Sequence, residues 1–222
     1  MIYRLKFLSL IALLVVLSGC VSAPKNQRAD YGKFRAANPR SMLIVPVVNR
    51  SVDVDAPDYF LSTISRPIAE RGYYVFPVNL VKRVMEDDGL GDADMVHANS
   101  PQRMARIFGA ESVMYIAIKR WDAKYMVLST QTTVELNYSL KSGITGEELW
   151  HKKETLVYSP QGNSNGMLAG LIVQAVVSAI EKAKPNYMPL AQQANAQAMY
   201  QIGHGLPAGP YHSQYLKDQD LF

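Results

Sequence analysis

Cysteine is nearly absent from this chain, because Cys20 is the only one among 222 residues. One cysteine cannot form a disulfide within its own chain, so the fold must depend on the burial of apolar side chains. If Cys20 is covalently modified, no thiol remains for nucleophilic catalysis or for metal binding. The composition therefore excludes disulfide-rich scaffolds and, with a modified Cys20, thiol-dependent enzymes and metal sites.

Several motifs of cofactor and metal sites are also missing. The chain has no GxxxxGKS/T or GxGxxG loop for phosphates. Its four histidines stand in neither HExxH nor HxH spacing, so the sequence predicts no zinc site. These histidines are His97, His151, His204 and His212. We predict a protein that is not an enzyme and holds no cofactor or metal, with a hydrolase as the less favoured alternative.

The excess of positive charge is small. The chain carries 23 Lys and Arg against 19 Asp and Glu, a formal balance of +4. Arg4 and Lys6 lie close to its start, and without these two residues the balance falls to +2. No run of five or more basic residues occurs, so nucleic acid is not an expected partner.

Two groups of acidic residues could supply oxygen ligands, but neither has the spacing of an EF-hand calcium loop. The groups are Asp53, Asp55 and Asp58, and Asp87, Asp88, Asp92 and Asp94. Acidic residues beside Gly and Pro also form turns and first turns of helices. We favour these structural roles and keep a weak calcium contact as the alternative.

The start of the chain has the layout of a bacterial secretory signal. Basic Arg4 and Lys6 precede an apolar run over residues 7–17, which is too short to span a bilayer. The following Leu17-Ser18-Gly19-Cys20 resembles a lipobox, the cleavage site of bacterial lipoproteins. The resemblance implies cleavage between Gly19 and Cys20, a diacylglycerol on the Cys20 sulfur and an acyl chain such as palmitate on the new terminus. The alternative is an ordinary secreted protein cut near Ala23.

The lipobox also predicts a location. Two or three acyl chains anchor a protein stably, because each buried methylene contributes about 0.8 kcal/mol. In the lipoproteins that this start resembles, aspartate after the cysteine favours the inner membrane, whereas this chain has Val21. We predict a lipid-anchored outer-membrane protein on the periplasmic face, with exposure at the cell surface as the alternative.

Composition divides the chain into four segments. Residues 1–19 are predicted to be a signal peptide and residues 20–40 a polar, lipidated tether that reaches up to about 70 Å when extended. Residues 41–184 are predicted to form one α/β domain, and residues 185–222 a helix followed by an irregular tail. The mature 203 residues are enough for one domain with a real core.

Apolar periodicity and turn signals alternate along the first part of the domain. A strand interrupted by Pro46 is predicted in the run Met42–Val48 and should end near that proline, and a second strand is predicted over Tyr73–Phe76. A helix from Pro57 or Asp58 to Arg71 should bury Phe60, Leu61, Ile64 and Ile68 and end at a left-handed Gly72. A second helix over Val78–Glu86 should turn Leu80, Val81 and Val84 inward. A third should begin at Ser100-Pro101 and close at Gly109.

The later part of the domain has a different pattern. Val113–Ile118 is apolar on both faces and predicts a central strand. Val127–Leu140 alternates, a turn follows over residues 142–146, and Glu148–Tyr158 predicts the returning strand. The fold class is therefore α/β: a mixed sheet with parallel N-terminal strands, an antiparallel C-terminal hairpin and helices on both faces.

An apolar helix is predicted over Met167–Lys184, too short to span a bilayer. Gly166 and Gly170 stand four residues apart and would permit a close approach between helices. We favour a helix buried against the sheet and keep an oligomer or membrane-proximal contact as the alternative.

Long stretches of this sequence resemble a family of bacterial lipoproteins of unknown function. The stretches are Leu43–Pro46, Asn49–Val54, Ala56–Ile64, Ala69–Val78, Phe108–Ala110 and Thr145–Trp150. The resemblance covers residues 41–180 and leaves the tether and the tail outside. It implies a fold like the N-terminal domain of TolB and the curli-secretion (CsgG-like) outer-membrane lipoproteins, no catalytic residues and an accessory role in envelope secretion, transport or assembly.

From these observations we predict a non-enzymatic scaffold that binds envelope proteins, such as another lipoprotein or a secretion component. An activator of a cell-wall synthase and a ring-forming homo-oligomer are the alternatives. The candidate contact residues are Asp58, Tyr59, Phe60, Tyr73, Tyr74, Gly166 and Gly170.

Overall fold

The computed structural model describes residues 28–126, 129–158 and 188–222. The lipobox with Cys20, Gly166, Gly170 and the helix predicted over Met167–Lys184 lie outside the described residues. The helices are α1 (Gly32–Ala37), α2 (Ala56–Glu70), α3 (Val78–Asp87), α4 (Ala93–Ala98), α5 (Pro101–Phe108) and α6 (Met188–Tyr200). The strands are β1 (Ser41–Ile44), β2 (Val48–Asn49), β3 (Tyr74–Val75), β4 (Ser112–Met126), β5 (Ser129–Ser142) and β6 (Glu148–Tyr158).

The strands form one open, mixed sheet, which confirms the predicted fold class. Its order is β3-β1-β4-β5-β6, and β2 also pairs with β4. The pairs among β1, β2, β3 and β4 are parallel, because helices connect those strands, whereas β4, β5 and β6 pair antiparallel through tight connections. We call the end where the parallel strands begin the amino end of the sheet and the opposite end the carboxyl end.

The first predicted strand is broken into β1 and β2: it stops before Pro46, as predicted, but resumes at Val48, which was not predicted. Proline has no backbone N–H to donate to a neighbouring strand. Both pieces nevertheless follow β4, with Ile44 opposite Met114 and Val48 opposite Ala117. From Ser41 to Asn49 this broken strand spans about 25 Å along the sheet.

Helices cover the two faces of the sheet unequally. One face packs against α1, α2 and α6, with Phe60, Ile64 and Ile68 of α2 fully buried. The other face packs against α3, α4 and α5 through residues such as Val81 and Met104. The second set covers the parallel strands only, so the outer faces of β5 and β6 carry mostly polar side chains.

Helix boundaries follow the predicted signals closely. The Ser100 side chain accepts a hydrogen bond from the Arg103 N–H, and Gly109 closes α5 with φ of 70°. Gly72, the second residue after α2, has φ of 83°, the left-handed conformation predicted for the end of this helix. The prediction for Leu80 was wrong: α3 turns Val81 and Met85 inward, four residues apart, and leaves Leu80 exposed.

A β-bulge explains a strand segment that the sequence pattern did not reveal. The register between β4 and β5 shifts between Ile118 and Arg120, which leaves Lys119 as the extra residue. Trp121 therefore returns to the same core as Ile116 and Ile118. Alternation counted without the bulge stops at Ile118, although β4 continues to Met126.

Residues 29–40 and 201–222 belong to the folded unit, so the boundaries predicted at 40 and 185 need correction. Tyr31 and Phe34 are buried in the core beside α1. The Tyr31 hydroxyl donates to the Gly205 carbonyl at 2.7 Å, and the Ala29 N–H donates to the Gly203 carbonyl at 2.8 Å. The chain therefore enters the fold beside the segment that follows α6.

That segment, residues 201–222, closes the amino end of the sheet. The Gly209 N–H donates to the Arg71 carbonyl at 2.7 Å, just where α2 ends and β3 is about to begin. The Tyr73 hydroxyl donates to the Pro207 carbonyl at 2.8 Å. The irregular backbone predicted here is correct, but it packs as a layer of the fold.

Candidate contact surface

The described residues offer no cluster suited to metal binding. No three His, Cys, Asp or Glu side chains among them come close enough to hold an ion. Asp92 instead accepts a hydrogen bond from the Met95 N–H at the start of α4, and Asp53 accepts one from the Asp55 N–H in a turn. These are the structural roles favoured from the sequence.

The histidines are distributed over the molecule. His97 lies half-buried beside the break in the first strand, where its Nε2 is 3.0 Å from the Pro46 carbonyl oxygen. Burial lowers the pKa of His97. His151 and His204 both line a cleft of about 540 Å³ beside β6, whereas His212 lies at the amino end near Gly72.

Asp58 and Tyr59 lie on the first turn of α2, at the carboxyl end. The Lys82 ammonium group donates to Asp58 at 3.2 Å; the Asp58 side chain is largely exposed and that of Lys82 is about half exposed. Tyr59 is partly buried against the core. These two residues keep their place among the candidate contacts.

Two of the predicted contact residues need correction, because Phe60 and Tyr73 are core residues. Phe60 is fully buried and packs at 5.9 Å from the ring of Tyr138. Tyr73 is buried at the amino end against Phe34. A partner cannot touch either side chain without unfolding the core.

Tyr74 is an exposed candidate on an edge strand, near the amino end of the sheet. It lies on β3 and packs edge-to-face on Phe76, which in turn contacts Phe108. Because α2 separates Asp58 from Tyr74, the two lie at opposite ends of the molecule. The predicted contact residues therefore do not form one surface.

The carboxyl end carries an exposed apolar feature that the sequence analysis missed. The loop over residues 50–55, here called the distal loop, joins β2 to α2. Its Val52 and Val54 side chains are 88% and 83% exposed. Both are far more exposed than valines of the core such as Val45 and Val113, which are fully buried.

The distal loop is held in shape by Asn49. The Asn49 side chain donates to the Asp53 carbonyl at 2.7 Å and accepts bonds from the N–H and hydroxyl groups of Ser51 at 2.9 and 2.7 Å. The Arg50 N–H continues the pairing with β4 by donating to the Ile118 carbonyl at 2.8 Å. Two apolar side chains are thus presented to solvent from a braced backbone.

Acidic groups surround this loop. The Arg50 guanidinium binds both carboxylate oxygens of Asp94, one of them at 2.9 Å, and lowers the pKa of Asp94. Asp53 and Asp55 make no ion pair with a basic side chain of the described residues. The Arg50 charge is therefore balanced, and the loop itself is acidic.

Among the described residues, no helix is both long and apolar enough to cross a bilayer.

Comparison with known proteins places the chain in a family. A curated relative from Neisseria meningitidis serogroup B (strain ATCC BAA-335 / MC58), "Putative lipoprotein NMB1124/NMB1162", is 35% identical over 170 residues, which cover 77% of this chain and 78% of the relative.

The crystal structure of lipoprotein GNA1162 from Neisseria meningitidis matches with a TM-score of 0.55 and 35% identity, over 64% of this chain and 98% of that one. The PelC dodecamer from Paraburkholderia phytofirmans matches at 15% identity and a TM-score of only 0.39, over 68% of this chain and 88% of that one.

The family model matches residues 29–211, so it includes α1 and part of the closing segment, which the resemblance stated above left outside. The chain belongs to the family described as "GNA1162-like: Putative lipoprotein GNA1162-like".

Proposed function

We propose that this protein is a lipid-anchored module of the outer membrane that faces the periplasm and binds protein partners of an envelope secretion, transport or assembly complex. One observation carries the proposal: the chain enters the fold beside the edge strand β6, whereas its exposed apolar loop lies at the carboxyl end of the parallel strands. Ala29 is tied to Gly203 and lines the cleft beside β6, and Val52 and Val54 are exposed in the loop after β2.

The length of the linker gives the module a direction. An anchor at Cys20 would leave only residues 21–28 as a linker, which reach at most about 30 Å. This reach is less than half of that expected when residues 21–40 were taken as a tether. A short linker holds the β6 edge near the bilayer and leaves the distal loop, which follows β2 on the other side of β4 and β5, facing the periplasm.

The test is a crosslinking capture from cell envelopes with the native, lipidated protein. The control is a Cys20→Ala variant exported by an ordinary secretory signal. We expect labelling by palmitate and recovery of an envelope partner with the native protein only. Recovery of a secretion component supports the proposed complex, whereas recovery of a cell-wall synthase supports the activator role in its place. If neither form captures a partner, the proposal is wrong.

The binding role also makes a claim about catalysis. Residues 162–166 have the spacing GxSxG, which occurs in serine hydrolases, and they lie outside the described residues. We propose that Ser164 has no catalytic role. A Ser164→Ala variant should retain full partner capture and full complementation of a deletion strain. Loss of complementation with capture intact would favour the hydrolase alternative.

A further inference from the structure

We propose that the distal loop is the docking point for a cationic segment of a protein partner, with Val52 and Val54 inserted among its apolar side chains. The inference rests on the proposed function and names the surface and the partner chemistry. Its occupant is one class only: a protein segment that combines apolar side chains with Lys or Arg.

Exposure identifies the apolar part of the site. Val52 and Val54 are 88% and 83% exposed, although they lie in a loop whose backbone is fixed by the side chain of Asn49. A braced loop loses little conformational freedom when a partner binds, so more of the contact energy appears as affinity. Burial of both valines would strengthen binding on the order of 100-fold.

Charge selects the partner. Asp53 and Asp55 alternate with the valines along the chain. Asp58 lies in the first turn of α2, and its side chain is largely exposed. Arg50 is already paired with Asp94, and Lys82 with Asp58, so these cations do not balance Asp53 and Asp55. Positive side chains on the partner would complement this surface and increase the rate of association.

The same carboxylates argue against a lipid as the occupant. Insertion of Val52 and Val54 into a bilayer would bring Asp53 and Asp55 to the level of the headgroups. Buried carboxylates are costly, and anionic headgroups repel them.

The experiment places a photocrosslinking amino acid at position 54 of the full, lipidated protein in cells. The control position is Ile144, which is 80% exposed but lies in the turn between β5 and β6 at the amino end. The crosslinked segment is then sequenced by mass spectrometry. We expect position 54, and not position 144, to crosslink to a protein segment that carries Lys or Arg beside apolar residues.

Two variants measure the contributions separately. Val52→Ser with Val54→Ser should lower capture of the native partner by tenfold or more, whereas Ile144→Ser should leave it unchanged. Asp53→Lys with Asp55→Lys should lower capture at least fivefold at low salt and much less at high salt, because screening weakens the repulsion.

The outcomes separate the two proposals. A crosslink from position 54 to lipid or to an acidic segment, or undiminished capture by the serine variant, overturns the docking site and leaves the binding role intact. Capture of no partner by the native protein overturns the proposed function itself.

Discussion

The two ends of the sheet are built in opposite ways. At the amino end, residues 201–222 cover the starts of the strands, and the buried guanidinium of Arg71 pairs with Asp218 at 2.9 Å and lies 4.6 Å from the centre of the Phe222 ring. At the carboxyl end, Arg50 and Asp94 pair in solvent and the distal loop exposes its valines. The difference indicates that packing at the amino end contributes to stability, whereas the carboxyl end leaves apolar side chains exposed to solvent.

The largest effect is expected from breaking the buried ion pair. Arg71 and Asp218 are only 14% and 8% exposed, and Asp218 also accepts a bond from the Ala208 N–H. Asp218→Ala would leave a buried charge without its partner, so we expect a loss of about 3–5 kcal/mol in the free energy of unfolding. Urea denaturation measures this loss.

The matched control for this prediction is Asp94→Ala at the carboxyl end. Arg50 and Asp94 are 52% and 54% exposed, and solvent-exposed pairs contribute little to stability because water and salt screen them, so a much smaller loss is expected. Equal losses in the two variants would contradict the contrast between the ends.

A smaller loss is expected from Gly72→Ala, which tests how tightly the closing segment packs. Gly72 has φ of 83°, and a Cβ there would lie 2.4 Å from the backbone nitrogen of His212. The positive φ costs an alanine about 1–2 kcal/mol, and the overlap adds to it.

Gly89→Ala separates the two contributions to this loss. Gly89 has φ of 76° but nothing within 4 Å of its would-be Cβ. Thermal and urea unfolding should show the Gly72 variant to be the less stable of the two. Equal stability would mean that residues 209–212 move to accommodate the added methyl group with little loss in the free energy of unfolding.

How far the sequence predicts this molecule depends on the range of the interactions. The caps at Ser100, Gly109 and Gly72 are local, because each is determined by neighbouring residues, and all three were predicted. The parallel direction of β1, β3 and β4, which was predicted, follows from the helices between these strands. These features need no knowledge of distant contacts.

The features that were missed depend on contacts between distant residues. The Tyr31 hydroxyl meets the carbonyl of Gly205, 174 positions away. Neither segment has an apolar period, so polar composition suggested a tether and a tail. Exposure of Val52 and Val54 is likewise a tertiary property, because an alternating Val-Asp pattern looks the same in a half-buried strand.

A modest pH dependence is expected from His97, which stands near the break that leads to the distal loop. Burial lowers its pKa in the folded state, so the unfolded chain takes up a proton first as the pH falls. His97 therefore contributes stability above the unfolded pKa of about 6.5 that is lost as the pH falls through the folded pKa, at no more than about 1.4 kcal/mol per pH unit.

Unfolding between pH 8 and pH 5 measures this effect. The stability difference between the native protein and His97→Gln should shrink below pH 6.5. His151→Gln, at a histidine whose side chain is 72% exposed, is measured in parallel as a surface control. A difference that stays constant with pH would mean that His97 stabilises the break without titrating.

The smallest effect on stability is expected at the distal loop itself. Val52 and Val54 bury little surface in the folded chain, so Val52→Ser with Val54→Ser should change the free energy of unfolding by less than about 0.5 kcal/mol. Urea denaturation of the purified domain measures this change. A loss above about 1 kcal/mol would show that the valines pack against the protein's own chain, and the carboxyl end would then be closed like the amino end. A neutral result together with lost partner capture means that the chain keeps these valines exposed for contact, because a residue that adds nothing to folding but is needed for capture must act at the interface.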